Sequence, residues 1–162
     1  MDEITIRKAG PADLEVIVHH RRAMFEDMGY KDAAALAAMD QSCRPFFKQA
    51  LAEGTYRSWL AQNAAGQVLA GGGILLLPWP SHPRDPQTRR PMIVNVYTEP
   101  AWRRHGLARG LMVAMLDWLR QEGYGTVSLH ASDFGRPLYE SLGFRSTNEM
   151  RLQLKDWQLS NL

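Results

Sequence analysis

A short turn in the second half of the chain carries four cationic or potentially cationic side chains, namely Arg103, Arg104, His105 and Arg109. The turn contains Gly106, follows the apolar run 92–98 and opens directly into an amphipathic segment. A strand that enters a helix through such a turn presents several unpaired backbone N–H groups at one point, beside the positive end of the helix dipole. Cations at a helix start are repelled by the positive end of the dipole, and an anion that lies among them offsets this repulsion. The spacing therefore predicts a site for a ligand that carries phosphates.

The elements on either side of the turn must position it. The apolar residues after it fall on one face of a helix that ends at Gly123, and they are Ala108, Leu111, Met112, Met115, Leu116 and Leu119. Residues 92–98 and 126–131 are predicted to be strands. The segment 92–131 therefore forms a β-α-β unit, in which a right-handed crossover joins two parallel strands.

The remaining elements complete a mixed sheet. Alternation and turn residues predict strands at 4–7, 55–62, 68–77 and 150–154, and helices at 11–28, 32–53 (interrupted near Pro45) and 135–142. The loop 78–91 holds five of the nine prolines, and its role is open. We predict one α/β domain over residues 1–162, with a mixed, mostly antiparallel central sheet, a β-α-β core and flanking helices.

Composition restricts the class of protein. Apolar residues make up 45% and charged residues 22%, which is a globular composition, and the net charge of +2 does not indicate a nucleic-acid partner. Cys43 is the only cysteine, so neither a disulfide nor a cysteine-rich metal site is expected. There is no leader pattern and no apolar run of about 18 residues. We expect a cytoplasmic protein without a membrane partner.

Two motifs carry a family resemblance. The first is V-Y-T-E-P at 96–100 followed by R-x-x-G-x-A at 103–108. The second is L-Y-E-S-L-G-F at 138–144. They resemble the [Q/R]-x-x-G-x-[G/A] turn and the L-Y-x-x-x-G-F ending of the GNAT superfamily of acetyl-CoA-dependent N-acetyltransferases, and the order of the predicted elements resembles that family along the whole chain. The resemblance implies a GNAT fold whose β-α-β unit binds acetyl-CoA as co-substrate, without a metal.

The resemblance also implies the roles of individual residues toward acetyl-CoA. The backbone of the turn would hold the pyrophosphate, with Gly106 leaving room for a phosphate oxygen, and the strand around Val96 would diverge from residues 127–130 and pair with the pantetheine amides. The Val96 N–H would then face the thioester carbonyl. The implied cofactor-binding residues are Val96, Tyr97, Thr98, Arg103, Arg104, His105, Gly106, Leu107, Ala108, Arg109 and Ser132.

Tyr139 corresponds to the family's general acid, which gives a proton to the leaving thiolate after direct attack by an amine. The base that deprotonates the amine is not assigned, because Met92 stands where some relatives carry Glu. By region the first candidates are Glu26 and Asp27, at the end of the first helix, followed by His130 and Glu99, and a water-mediated path is equally open. His130 alone is more typical of a structural residue. The pair His19–His20 is interpreted as part of a solvated helix face rather than a metal site, because adjacent side chains point in different directions.

The acceptor is predicted to be a small-molecule or peptide amine that the sequence does not identify, and the resemblance leaves a homodimer open. One alternative is a catalytically weak acetyl-CoA-binding sensor or interaction module of the same fold. Another is an unrelated nucleotide-binding α/β protein. That class needs a G-x-G-x-x-G or Walker-type turn, and neither pattern occurs in the chain.

Overall fold

The computed structural model describes residues 3–156. The regular elements are β1 (Thr5–Lys8), α1 (Leu14–Asp27), α2 (Ala33–Glu53), β2 (Tyr56–Gln62), β3 (Val68–Pro78), β4 (Arg89–Thr98), α3 (Leu107–Gln121), β5 (Ser128–Leu129) and α4 (Arg136–Ser141). Short 3-10 turns occupy Pro11–Asp13, Pro100–Trp102 and Leu154–Asp156. The described residues form two compact units, one that ends at His130 and one that begins at Ala131.

The first unit is built on one five-stranded sheet. Its strands follow the order β1-β2-β3-β4-β5, and neighbouring strands run antiparallel except for the parallel pair β4 and β5. This arrangement confirms the mixed, mostly antiparallel sheet expected from the sequence. The parallel pair flanks α3, as predicted for the β-α-β unit, because parallel neighbours require a crossover connection.

A run of three glycines, 71–73, in the middle of β3 lets bulky side chains approach both faces of the sheet. A Cβ atom on the first glycine would lie 2.7 Å from His20 Nδ1, and one on the third would lie 2.2 Å from the Tyr56 hydroxyl. A Cβ on the second would lie 3.0 Å from Met115 Cε. Successive residues of a strand point to opposite faces. His20 and Tyr56 therefore share one face, and α3 covers the other.

Both faces are packed as their patterns predict. On α3 the fully buried side chains are Leu111, Met112 and Met115, with Leu119 almost as well covered, which confirms the predicted apolar stripe. On the other face, Ile17 of α1 and Phe47 of α2 form a cluster with Tyr56. These buried apolar side chains supply most of the stabilising free energy of such a layered unit.

Three expectations about element boundaries are wrong. Helix α2 runs unbroken through Pro45, because the carbonyl that loses its N–H partner belongs to the exposed residue Gln41, where water can replace the bond. Strand β5 spans only Ser128–Leu129 rather than 126–131. Residues 150–153 form no strand, since an alternating pattern becomes a strand only against a partner, and no described residue pairs with them.

The predicted loop 78–91 is shorter than expected, because β3 extends to Pro78 and β4 begins at Arg89. Between them His82 and Asp85 form an isolated bridge, and the Arg90 guanidinium lies 5.0 Å from the centre of the Trp79 ring. Across residues 3–156, no helix is both long and apolar enough to cross a membrane.

Candidate cofactor and catalytic site

Strands β4 and β5 are paired at one end only. Met92 and Ile93 pair with Ser128 and Leu129, whereas β4 continues to Thr98. Pairing between the two strands therefore stops at Ile93, where β5 itself ends. In the described part of the chain, no strand pairs with that edge beyond Ile93. An unpaired strand edge offers backbone N–H and C=O groups to a ligand that carries amides of its own.

A β-bulge interrupts β4 where it pairs with β3, on the opposite edge of the strand. Two residues of β4, Asn95 and Val96, lie opposite the single residue Gly72 of β3. Asn95 has a φ of 58°, in the left-handed region that non-glycine residues seldom adopt and asparagine tolerates best. A bulge of this kind redirects the residues that follow it, and here the next residue is Val96.

The Asn95 side chain is buried between two other elements. Arg21 of α1 donates from Nη1 to Asn95 Oδ1 over 2.8 Å, and Asn95 Nδ2 donates to the Tyr56 hydroxyl over 3.3 Å. Asn95 is 4% exposed and Tyr56 1%. Burial is the main cause that raises the pKa of Tyr56, so this hydroxyl remains neutral. Sequence reasoning missed this cluster, because its members are distant in the chain.

The connection from β4 to α3 has the shape expected of an anion-binding turn. Arg104 and Gly106 adopt left-handed φ values of 64° and 80°, and α3 begins at Leu107 with no side chain capping its first turn. A Cβ on Gly106 would meet no atom within 4 Å, so within the protein glycine is required by the backbone angle. The uncapped N–H groups of the first turn are left for another acceptor.

The cations of the turn fall into two groups. Arg103 is held by the protein: its Nε donates to the Thr98 carbonyl over 3.0 Å, its Nη2 binds the Asp27 carboxylate, and its guanidinium lies 5.7 Å from the centre of the Tyr97 ring. The side chains of the other three, Arg104, His105 and Arg109, are exposed, and His105 Nδ1 lies 2.9 Å from the Arg103 carbonyl oxygen. Leu107 and Tyr97 are buried, so a cofactor would meet them chiefly through the backbone.

Three of the candidate bases are carboxylates at the end of α1 or β4. Glu26 accepts a hydrogen bond from Arg22 over 2.9 Å, and Asp27 is bound by Arg103. Glu99 Oε1 lies 2.9 Å from His19 Nε2 and 3.8 Å from His20 Nε2. Glu99 thus differs from the other two because its partners are histidines rather than arginines. The fourth candidate, His130, directly follows β5 and is exposed.

The interpretation of His19–His20 as a solvated face is wrong for His20, which is 3% exposed. His20 lies three residues after the buried Ile17, and that helical spacing was the available signal. Burial lowers the pKa of His20 to about 4, and the nearby Glu99 carboxylate opposes that shift only in part. His20 is therefore neutral at pH 7.

The second unit carries the remaining predicted site residues on and before α4. The Ser132 hydroxyl oxygen accepts a hydrogen bond from the Gly135 N–H over 3.2 Å, so it stabilises the turn that leads into the helix. A Cβ on Gly135 would lie 2.9 Å from Tyr139 Cε2, and the Tyr139 ring is 6.0 Å from the Phe144 ring. Burial raises the pKa of the Tyr139 hydroxyl. The group keeps its proton at neutral pH, as a proton donor must.

Within residues 3–156, no group of three or more His, Cys, Asp and Glu side chains is arranged to hold a metal ion.

Comparison with known proteins gives a consistent result. Residues 18–144 match the model of the acetyltransferase (GNAT) family. A GCN5-related N-acetyltransferase from Ralstonia eutropha is 36% identical, with a TM-score of 0.86 over 93% of this chain and 98% of that one. A predicted acetyltransferase from Clostridium acetobutylicum, solved with acetyl-CoA, is 27% identical, with a TM-score of 0.87 over 96% and 99%. A glucosamine-6-phosphate N-acetyltransferase from Arabidopsis thaliana shares the fold at 15% identity, with a TM-score of 0.67 over 94% and 98%. No curated protein matches the chain.

Proposed function

Because the chain belongs to the GNAT acetyltransferase family, we propose that it transfers the acetyl group of acetyl-CoA to a primary amine by direct attack on the thioester. The observation that carries this proposal is the β4 edge, which leaves β5 after Ile93 and leads into the uncapped start of α3. That edge suits an arm with amides, and the helix start suits phosphates. Coenzyme A carries both groups. The Clostridium relative solved with acetyl-CoA supports the same donor.

The diphosphate of the donor binds at the turn before α3 in this proposal. Backbone N–H groups of the first helical turn donate to its oxygens, and the exposed cations Arg104, His105 and Arg109 surround it. Ala108 keeps the helix start close to the ligand. Arg103 contributes indirectly, since its bonds to Asp27 and to the Thr98 carbonyl fix the turn to α1 and β4.

The pantetheine arm lies along Val96–Thr98 and pairs with the strand edge. The Val96 N–H then donates to the thioester carbonyl oxygen. This bond strengthens as the oxygen gains negative charge in the tetrahedral intermediate, and a fixed donor of this kind contributes about 3 kcal/mol to the barrier reduction. Ser132 is a further candidate contact for the arm.

The reaction is a substitution at the carbonyl carbon. The neutral amine forms a C–N bond to that carbon, the C–S bond breaks, and the coenzyme A thiolate takes a proton from the Tyr139 hydroxyl. The extra proton on the new amide nitrogen is released to water, and the Tyr139 phenolate takes up a proton from water in turn. An amine with a pKa near 10 must first lose a proton. Glu99, paired with His19, is the base we favour over Glu26 and Asp27, whose partners are arginines that stay charged.

The test is Tyr139→Phe, which removes only the hydroxyl. Acetyl-CoA binding is measured by calorimetry, and turnover is measured as free thiol released with a panel of amines. We expect kcat to fall by roughly 10²-fold, with the Kd for acetyl-CoA within about twofold of wild type. The matched control is Tyr124→Phe, the same change at a residue in contact with Trp118, and it should leave both quantities unchanged.

Two results would contradict the proposal. Unchanged turnover in Tyr139→Phe would remove that residue from its role as acid. Tight binding of acetyl-CoA by the wild type, without thiol release for any amine, would favour a sensor or interaction module instead.

A further inference from the structure

The bulge in β4 is held by a small polar cluster inside an otherwise apolar layer. Asn95 and Tyr56 are both buried, and they meet Arg21, which reaches them from α1. The three residues come from three different elements. Burying a polar side chain costs free energy unless its hydrogen bonds are made. We therefore ask which part of the β4 backbone this cluster holds in place.

The two bonds of the cluster fix the orientation of the Asn95 amide. A guanidinium can only donate, so the amide oxygen must face Arg21 Nη1, 2.8 Å away. The amide nitrogen then faces the Tyr56 hydroxyl at 3.3 Å. Asparagine is suited to this place on two grounds, since its side chain accepts at one end and donates at the other, and it tolerates a left-handed φ.

Both anchors are themselves fixed. The Tyr56 ring packs 4.7 Å from the Phe47 ring, and its hydroxyl occupies the space that a side chain on Gly73 would need. The Arg21 guanidinium lies 5.0 Å from the centre of the Phe25 ring.

Arg21 and the neighbouring Arg22 differ in their ion-pair partners. Arg22 binds two carboxylates, Glu26 and Asp40, whereas Arg21 forms no ion pair with any described residue. Its Nε is buried and without a protein partner. Arg21 therefore contacts Asn95 and the Phe25 ring.

Holding Asn95 fixes the peptide plane that joins it to Val96. That plane carries the Val96 N–H, and its tilt depends on the backbone angles of Asn95. We infer that Arg21 and Tyr56 are positioning residues, which act through Asn95 to aim the Val96 N–H at the thioester carbonyl. The inference rests on the proposed acetyl transfer and assigns two residues that the mechanism above leaves without a role.

The test combines kinetics with the vibrational signature of the bound carbonyl. Acetyl-CoA labelled with ¹³C at the carbonyl is bound to the protein, and infrared difference spectra give the stretching frequency, which falls when the oxygen accepts a hydrogen bond. The variants are Arg21→Met and Tyr56→Phe, with Arg21→Lys as the conservative change. The control is Arg44→Met, which breaks the exposed ion pair with Glu15.

We expect Arg21→Met to lower kcat about tenfold or more, with the KM values for both substrates within about threefold of wild type, and to lose most of the frequency shift of the carbonyl. Arg21→Lys should recover part of both, because an ammonium also donates to the amide oxygen. Arg44→Met should behave as wild type. Tyr56→Phe deletes a single hydroxyl, so it decides the question if Arg21→Met does not fold.

The inference is overturned if folded variants keep the wild-type kcat and carbonyl frequency. It is also overturned if kcat, acetyl-CoA affinity and melting temperature all fall together, which is the signature of a purely structural role. Failure of the proposed function gives a different result, in which the wild type binds labelled acetyl-CoA but releases no thiol.

Discussion

Acid should destabilise the folded protein through His20. In the folded state its pKa is about 4, against an ordinary value of 6.5 in the unfolded chain. Between these two pH values the unfolded chain binds a proton that the folded protein does not, so the free energy of unfolding rises with pH across this window. The stabilisation is complete above pH 6.5 and is lost as the pH falls toward about 4.

The size of the effect follows from the shift. One pKa unit corresponds to about 1.4 kcal/mol, so the full window is worth about 3 kcal/mol and the steepest slope is about 1.4 kcal/mol per pH unit. Between about pH 7 and pH 4.5 the expected loss is about 2 kcal/mol. The charged and titratable groups near the ring are Glu99 at 3.8 Å, His19 with its ring centre at 5.7 Å, and Tyr97 at 5.2 Å.

The assay is urea denaturation followed by tryptophan fluorescence across that pH range. His20→Gln keeps a polar side chain but cannot titrate, so its stability should fall by about 2 kcal/mol less than that of wild type on acidification. His19→Gln is the control, because it removes the adjacent exposed imidazole and leaves His20 in place; it should keep the wild-type slope. If the free energy of unfolding changes equally with pH in the wild type and in His20→Gln, the argument that burial lowers the pKa of His20 is refuted.

Two further expectations concern the cofactor turn and the base. Gly106→Ala should lower the free energy of unfolding by about 1 kcal/mol, because alanine is strained at a φ of 80°. The same strain should weaken acetyl-CoA binding measured by calorimetry. An unchanged affinity would show that the turn does not bind acetyl-CoA. Glu99→Gln should lower kcat for thiol release by roughly 10²-fold, whereas Asp27→Asn should lower it much less, and the reverse pattern would assign the base to Asp27.

Local signals predicted the turn and the helix on which the proposed donor site depends. The turn at 103–109 and the apolar stripe of α3 are both patterns of residues close together in the sequence. The predicted apolar face of α3 is the buried one, because α3 packs on one face of the sheet. The family resemblance implied that β4 diverges from β5, and the structure shows that their pairing stops at Ile93.

Other features depended on partners that sequence spacing does not reveal. Nothing near Asn95 in the chain indicates a bulge, because the bulge exists only in register with Gly72 and its anchors lie on α1 and β2. The burial of His20 likewise depends on the space left by Gly71, far along the chain. The alternating segment at 150–154 shows the converse, a strand pattern without a strand partner among the described residues.

The contact between Tyr56 and Gly73 restricts the order in which evolution can change these positions. The hydroxyl lies 2.2 Å from where a Cβ on Gly73 would be, so a side chain there is accessible only after Tyr56 has been replaced by a smaller residue. That replacement also removes the acceptor for the Asn95 amide. Homologues with alanine or serine in place of Gly73 should therefore differ at the other two positions as well, and the three should covary as one set.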